Sequence, residues 1–482
     1  MARRLWRYSE GIGHVAQTAL VSVRSFGTLG ESLRMKLAQV SSSVTLQAAL
    51  LFALTLSVYM FVGHVDGRLG ADERIKFVRP AAISGDEPHY LVVINSIIFD
   101  HDVRLGEDHK RIAEGGLEAG SRRKGKLFGG HAALVNTKTG ARTRCPGKCG
   151  DKEWQVVGGN REDLMEVPSH PVAFPAFIAL LSWPFQPERG EVEALTGELA
   201  ILIGIAGVLL TYRAARAIGL CATAAFASAA LLGFASSWLP YARSYFAESA
   251  IGVFLLLGFI AMRARALVWA GLAIGVATAM KSAFVLVGFV WIAERLWARR
   301  FRESLWLMGS LGAAGVLQVL LNLALLRAPF TIGAGPWSSA KGLRSLEYTL
   351  LNPAHGLLVF VPWACVALLW GTASLWAAAP AEPNADAVEV RRQLALPALA
   401  LLVVFSIIGW GVGTCYGPRY WVPLLPFLAI LAVEFAVVGR AWRAGMLGVL
   451  AAVSLLIAVP GAIKYRFLFS KPALAALFQR EG

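Results

Sequence analysis

Repeated apolar runs of about 14 to 23 residues recur between short charged segments and limit what this chain can fold into. Backbone polar groups in hydrocarbon must find partners within their own segment, so runs of this kind become membrane helices. Composition agrees: the 482 residues are 56% hydrophobic and 16% charged, with mean hydropathy +0.57. A soluble chain would carry nearer a quarter charged residues. The expectation is an all-α polytopic membrane protein of about eleven transmembrane helices. The net charge of +15 does not point to nucleic acid. Lys and Arg cluster in short segments between apolar runs, the pattern of cytoplasmic loops, and no compact basic domain with interleaved aromatics appears.

Residues 1–43 are basic and read as a cytoplasmic N-terminal segment, followed by membrane helix 1 at 44–63 running outward. Residues 64–171 form a long polar segment, expected outside. The run at 172–185 is broken by Pro175 and Pro184; a crossing there would put Arg213 and Arg216 outside, so it reads as a juxtamembrane or re-entrant helix. Helices 2 to 11 are then expected near 195–212, 220–239, 249–262, 267–280, 282–295, 304–326, 357–377, 394–413, 421–438 and 445–462. Every inner loop on this map is basic. Residues 172–462 make up the helical domain with short outer loops, and 463–482 an outer tail.

Within the polar segment, 129–144 reads as a hairpin, with Ala132 to Val135 apolar and Asn136-Thr137-Lys138-Thr139-Gly140 as its turn. A small α/β subdomain follows from that. Cys145 and Cys149 flank Pro146-Gly147-Lys148; a small disulfide between them is open if the loop is extracytoplasmic. Cys221, Cys365 and Cys415 lie in or beside apolar segments and read as packed thiols.

The start of the polar segment holds Ser84-Gly85-Asp86-Glu87-Pro88-His89-Tyr90-Leu91. Tyr90, Leu91, Ile94, Ile97 and Ile98 recur at helical spacing, predicting a helix through Phe99. Pro88 suits its first position, and Asp86 and Glu87 its N-terminus, where a plain helix cap is the simpler role. Asp100 and Asp102 would end that helix in solvent. The map also collects Asp86, Glu87, His89, His170, Arg243, Glu248, Lys281, Arg344, His355, Arg419 and Tyr420 on the outer face. Carboxylates beside cations at a lipid surface suit group transfer from an anionic lipid carrier. A carboxylate accepts a proton from the acceptor, and Arg or Lys stabilises the leaving phosphate.

Gly85-Asp86-Glu87-Pro88-His89-Tyr90-Leu91 after helix 1 resembles the first outer-loop signature of GT-C glycosyltransferases, as in protein mannosyltransferases and lipid A aminoarabinose transferases. Ser169-His170-Pro171 with Phe174-Pro175 is similar to the segment closing that loop. Tyr241-Ala242-Arg243-Ser244-Tyr245-Phe246-Ala247-Glu248 resembles the second acidic loop. Asn352-Pro353-Ala354-His355-Gly356 and Tyr416-Gly417-Pro418-Arg419-Tyr420-Trp421 resemble later motifs, so the likeness runs from 44 to 440.

The resemblance implies a GT-C-like fold and sugar transfer from a polyprenyl-phosphate donor to a lipid, polysaccharide or protein hydroxyl. It implies an inverting reaction at the outer (periplasmic) face of a bacterial inner membrane. Asp86 matches the general base, Glu87 its assistant or a metal ligand, and Glu248 the second acidic position. A divalent cation, if any, would fall to Asp86, Glu87 and Glu248. Arg419 would contact phosphate or else snorkel at the interface, and Lys281 would do the same or act as an interfacial anchor. His89, Tyr90, His170, Arg243, His355 and Tyr420 would line the substrate site, though His170 departs from the Lys-Pro-Pro of some aminoarabinose-type members. The alternatives are a transporter or flippase for a lipid-linked sugar, or a scaffold that kept the fold. A transporter calls for paired ionisable groups mid-membrane and internal repeats. Here no repeat is visible, and Glu434 is the clearest acid inside an apolar run.

Overall fold

The computed structural model describes residues 44–69, 75–77, 86–113, 132–139, 141–145, 155–158, 160–327, 343–376, 385–408, 417–438, 441–463 and 472–473. The basic segment 1–43, Cys149, the outer turn at 414–416 and most of the tail lie outside the described residues. The chain divides into two compact units, Met1–Leu50 and Leu51–Gly482, and the second holds the polar segment and nearly all of the helices.

Each of the eleven expected spans falls on a helix over its described residues. These helices are α1 (Val44–Gly63), α5 (Val192–Ala217), α6 (Ala222–Phe234), α7 (Glu248–Arg263), α8 (Leu267–Met280), α9 (Val285–Trp297), α10 (Phe301–Leu326), α12 (Ala364–Trp376), α13 (Ala385–Ile408), α14 (Leu425–Val438) and α15 (Ala441–Ile463). Between them lie α2 (Glu87–Asn95), α3 (Leu105–Ala113), α4 (Ala173–Ser182) and α11 (Leu343–Leu351). Among the described residues five segments are long and apolar enough to cross a membrane: Thr45–Gly63, Arg189–Ala217, Phe301–Leu326, Arg419–Val438 and Ala441–Ile463. Their outward faces are apolar, as at Leu317, Leu320 and Val449, which are more than half exposed. The molecule is therefore an integral membrane protein of helical type.

Three runs depart from the expected spans. The run at 220–239 breaks after Phe234, where the Ser236 hydroxyl donates to Leu232 O and accepts from the Trp238 N–H before a single turn at Trp238–Tyr241. The run at 357–377 breaks at Pro362, leaving one turn, Leu357–Phe360, ahead of α12. Helix α13 begins at Ala385, well before the expected 394, because its first turns carry Asp386, Glu389, Arg391 and Arg392 and give no hydropathy signal. The expected juxtamembrane helix is α4, followed by a 3-10 turn at Trp183–Phe185.

Trp238 is the packing centre of the end that concerns function. It is fully buried, and its indole N–H donates to Gly204 O at 3.0 Å. A Cβ on Gly207 of α5 or Gly252 of α7 would run into its ring. Glycine at both positions lets α5 and α7 close on the indole. That contact fixes the start of α7, one turn before Gly252; overpacking there would cost about 1–3 kcal/mol.

The polar segment folds as expected for an α/β subdomain. Strands β1 (Val65–Leu69) and β2 (Ile75–Phe77) pair antiparallel. Strands β3 (Ala132–Asn136), β4 (Arg142–Cys145) and β5 (Leu164–Pro168) form an antiparallel sheet of order β4-β3-β5. The β3–β4 hairpin is the one the alternation predicts; β5 returns from farther along and went unread. Alternate residues Ala133 and Val135 join Met165, Val167, Val92, Val93, Val103, Leu105 and Val172 in one core, and Leu134 packs with Cys145 and Val157 in a second. The first core includes Leu326 at the end of α10, so the sheet is seated on the helical bundle.

Candidate active site

Helix α2 presents the Asp-Glu pair. Asp86 is its N-cap in an αR conformation, Glu87 opens the helix and Pro88 follows, one place later than expected. The Asp86 side chain makes no capping hydrogen bond. Its carboxylate accepts instead from Arg419 across the molecule, Nη2 to Oδ2 at 2.7 Å. Simple helix capping is thereby replaced by a long-range ion pair. All of α2 is buried, and it continues into a π-helical turn at Ser96–Asp100. Asp100 and Asp102 are not left to solvent: Asp100 pairs with Arg189 at 2.8 Å, and Asp102 accepts from the Ser96 hydroxyl at 3.0 Å.

Arg419 is the hub. It opens a 3-10 turn, Arg419–Leu424, entered through Gly417 at φ +65°. A Cβ at Gly417 would meet the Phe360 ring, so the position needs glycine on both counts. The Arg419 Nε donates to Glu248 Oε1 at 2.7 Å while Nη2 holds Asp86. Its guanidinium lies over the Phe246 ring, 3.8 Å from the centroid. With side-chain exposure of only 5%, it is no snorkelling anchor. Glu248 is wholly buried, so it is not a solvated cap either. Its Oε1 also accepts from Lys281 at 2.7 Å, while Oε2 has no partner. Lys281 sits over the Tyr420 ring at 3.8 Å, and burial pushes its ammonium below the usual lysine range against the pull of Glu248.

His170 completes the group, Nε2 to Asp86 Oδ1 at 3.7 Å. Tyr90 packs edge-on to His170 and to Phe174. Burial first, then the Asp86 carboxylate, holds the Tyr90 phenol well above its ordinary pKa, so it stays protonated. The structure thus gathers Asp86, Tyr90, His170, Glu248, Lys281, Arg419 and Tyr420 from stretches far apart in sequence.

Other expected site residues take different places. Glu87 Oε1 accepts the backbone N–H of Tyr245 at 3.0 Å and ties the first loop to the 241–248 loop. Arg243 donates to Ala462 O at the end of α15, at 2.7 Å. His89 is buried within α2. His355 borders a cavity of about 20 Å³ that it shares with Thr349, Phe405, Pro418, Arg419, Tyr420 and Trp421. Its Nδ1 and the Trp421 indole nitrogen are buried without partners, and the space suits a single water. Burial lowers the His355 pKa, which keeps the ring neutral at neutral pH. Tyr245 and Phe246, which contact Glu87 and Arg419, are positions in this cluster that the sequence did not single out. Both stand in the stretch quoted for Glu248, and two adjacent aromatics before a buried acid were the available signal.

The acids do not converge as a metal site. Among the described residues no group of three or more His, Cys, Asp or Glu is placed to hold a metal ion. A guanidinium stands between Asp86 and Glu248, and Glu87 is engaged by a backbone N–H. Elsewhere, Cys145 is disulfide-bonded, and Cys221 and Cys365 are free thiols. An apolar groove of about 460 Å³, lined by Leu54, Val58, Phe61, Phe234, Leu455 and Ile463, runs between α1, α6 and α15.

No family model matches the chain, and no curated protein matches it. Among solved structures it is similar to the crystal structure of ArnT from Cupriavidus metallidurans in the apo state, at 17% sequence identity and a TM-score of 0.43. The match covers 89% of this chain and 76% of that one. At that score the likeness decides nothing about fold or activity.

Proposed function

We propose that this chain is a membrane glycosyltransferase of the GT-C type. It transfers a sugar from a polyprenyl-phosphate donor to a hydroxyl of a lipid, polysaccharide or protein acceptor, at the periplasmic face of a bacterial inner membrane. The observation that carries the reading is Arg419 held between Asp86 and Glu248, with Lys281 on the same Glu248 oxygen. Two cations and an ionisable base, buried together beside a lipid-facing bundle, are the parts that displacement of a lipid phosphate requires.

The chemistry follows from those contacts. While Asp86 is paired with Arg419 it is a poor base. A donor phosphate competes for the guanidinium, since Arg binds phosphate as well as carboxylate. Asp86 is released as the phosphate enters. It then takes the acceptor hydroxyl proton as that oxygen attacks the anomeric carbon. The bond from carbon to phosphate oxygen breaks, the configuration inverts, and the charge on the leaving polyprenyl phosphate rests on Arg419 and Lys281. The apolar groove suits the isoprenoid chain: Ile463 in its lining is next in sequence to Ala462, which Arg243 holds against the 241–248 loop.

The test offers the purified protein a panel of radiolabelled polyprenyl-phosphate sugars with envelope extract. Sugar transfer supports the reading and names the donor. Donor binding without transfer, together with sugar-lipid movement across liposomes, would make the chain a flippase instead.

A further inference from the structure

At the end of the bundle away from Asp86, one arginine is contacted, among the described residues, by aromatic rings and by no carboxylate. Glu248 opens α7 and Arg263 closes it, while Arg419 precedes α14 and Glu434 lies in its last turns, so the two charged ends are a helix length apart. Near Glu434, the Arg443 guanidinium lies 4.6 Å from the Phe435 ring centroid, 5.6 Å from Trp370 and 5.7 Å from Trp442. No carboxylate among the described residues pairs with it, and its Nε is buried without a hydrogen-bond partner.

The neighbours make that arrangement unusual. Arg391 stacks on the same Trp370 ring at 4.9 Å, but it is neutralised by Glu434 at 2.7 Å. The Trp370 indole N–H also turns to Glu434, at 3.4 Å. Arg392 donates to Ser374 O at 3.2 Å. The Glu434 carboxylate is thus already engaged twice, by Arg391 and by the Trp370 indole. Arg443 also stands in the first turn of α15, where the helix dipole disfavours a cation and favours an anion. Around it Trp442, Val437 and Val438 are all more than half exposed, as side chains facing acyl chains or the headgroup boundary are.

We propose that Arg443, with Arg391 and the rings of Trp370 and Trp442, binds the phosphodiester headgroup of an anionic phospholipid. The phosphate supplies the acceptor that the Arg443 Nε lacks. It also places negative charge at the α15 N-terminus and sets its acyl chains along the exposed apolar residues. A bidentate guanidinium-phosphate contact stacked on tryptophan accounts for arginine at this position, because lysine offers neither the fork nor the plane. Basic pockets between membrane helices bind such headgroups.

Native mass spectrometry tests this on the full-length protein released from detergent after exposure to equimolar phosphatidylglycerol and phosphatidylcholine. The wild type is expected to retain phosphatidylglycerol in preference. Arg443→Gln should weaken that retention about tenfold and Arg443→Lys less, in line with loss of a charge-assisted bidentate contact. Trp442→Ala removes an exposed ring without opening the core and should weaken it about threefold, one stacked cation–π contact at an exposed site. Equal retention of the two lipids by wild type would overturn the proposal, as would undiminished preference in both Arg443→Gln and Trp442→Ala. Inorganic phosphate that protects the wild type against heating as well as phosphatidylglycerol does would overturn the lipid assignment.

Discussion

The two ends of the bundle bury similar numbers of charges and connect them differently. At the end away from Asp86, Arg295 is within 3.4 Å of Glu294, 3.1 Å of Glu303 and 3.2 Å of Glu389. Glu389 is in turn gripped by both Arg300 nitrogens, at 2.9 and 2.8 Å. These links join α9, α10 and α13, and Arg295 and Glu389 each have more than one partner. At the Asp86 end Arg419 reaches each acid through one nitrogen, and the partners lie 333 and 171 residues away in sequence. One oxygen of Glu248 takes both cations while the other takes none. A redundant network fastens helices together. A sparse one, joining segments distant in sequence and left with an unsatisfied oxygen, is what the proposed function calls for, since there an entering anion would replace one of its members.

The comparison can be broken with single substitutions. The largest effect is expected from Arg419→Met, which leaves Asp86 and the wholly buried Glu248 without their shared cation. Breaking a buried pair in this way costs about 3–5 kcal/mol, and donor binding should vanish with it. Thermal unfolding in detergent and donor titration read the two effects. Glu389→Gln at the other end should cost less, roughly 1–2 kcal/mol, because Arg295 keeps Glu303 and Glu294. Donor affinity should not change in that variant; a loss would mean that the two ends are coupled.

Lys281 sharpens the contrast through pH. Burial holds its pKa below the ordinary lysine value, so the ammonium is present below that lowered pKa and is lost as pH rises through it. Donor affinity should fall on the alkaline side before free lysine would titrate. Lys281→Arg should remove that limb, since a guanidinium does not titrate there. The smallest effect is expected for Arg263→Ala, whose partner Asp386 is 79% exposed. Its contribution to stability should be about 0.5 kcal/mol or less by thermal unfolding.

The same contrast explains what the sequence made legible. Apolar runs located the helices because burial in hydrocarbon is written residue by residue along the chain. The α13 start was missed because Glu389, Arg391 and Arg392 are helical yet charged, and their pairing to other helices leaves no local trace. Strand β3 was readable from its own alternation, while β5 depends on a partner strand more than twenty residues earlier. Basic loops on alternate sides placed Asp86, Glu248, Lys281 and Arg419 on one face, which is how they came to be candidates together. That Arg419 would bridge the two acids, and that Glu87 would hold the Tyr245 N–H, depends on segments 158 to 333 residues apart that meet only in the folded chain. Arg243 and His355 were expected to line the substrate site; Arg243 holds a helix end, and His355 borders a small cavity beside Arg419 and Tyr420.

The measurement that bears most directly on the account compares sugar transfer by wild type and Asp86→Asn, at equal donor occupancy and with folding checked by thermal unfolding. The account predicts that Asp86→Asn binds donor at least as well, because Arg419 no longer holds a competing carboxylate, and that transfer falls by about a hundredfold or more, as for loss of a general base. Transfer that continued at the wild-type rate would contradict it and remove Asp86 from the chemistry.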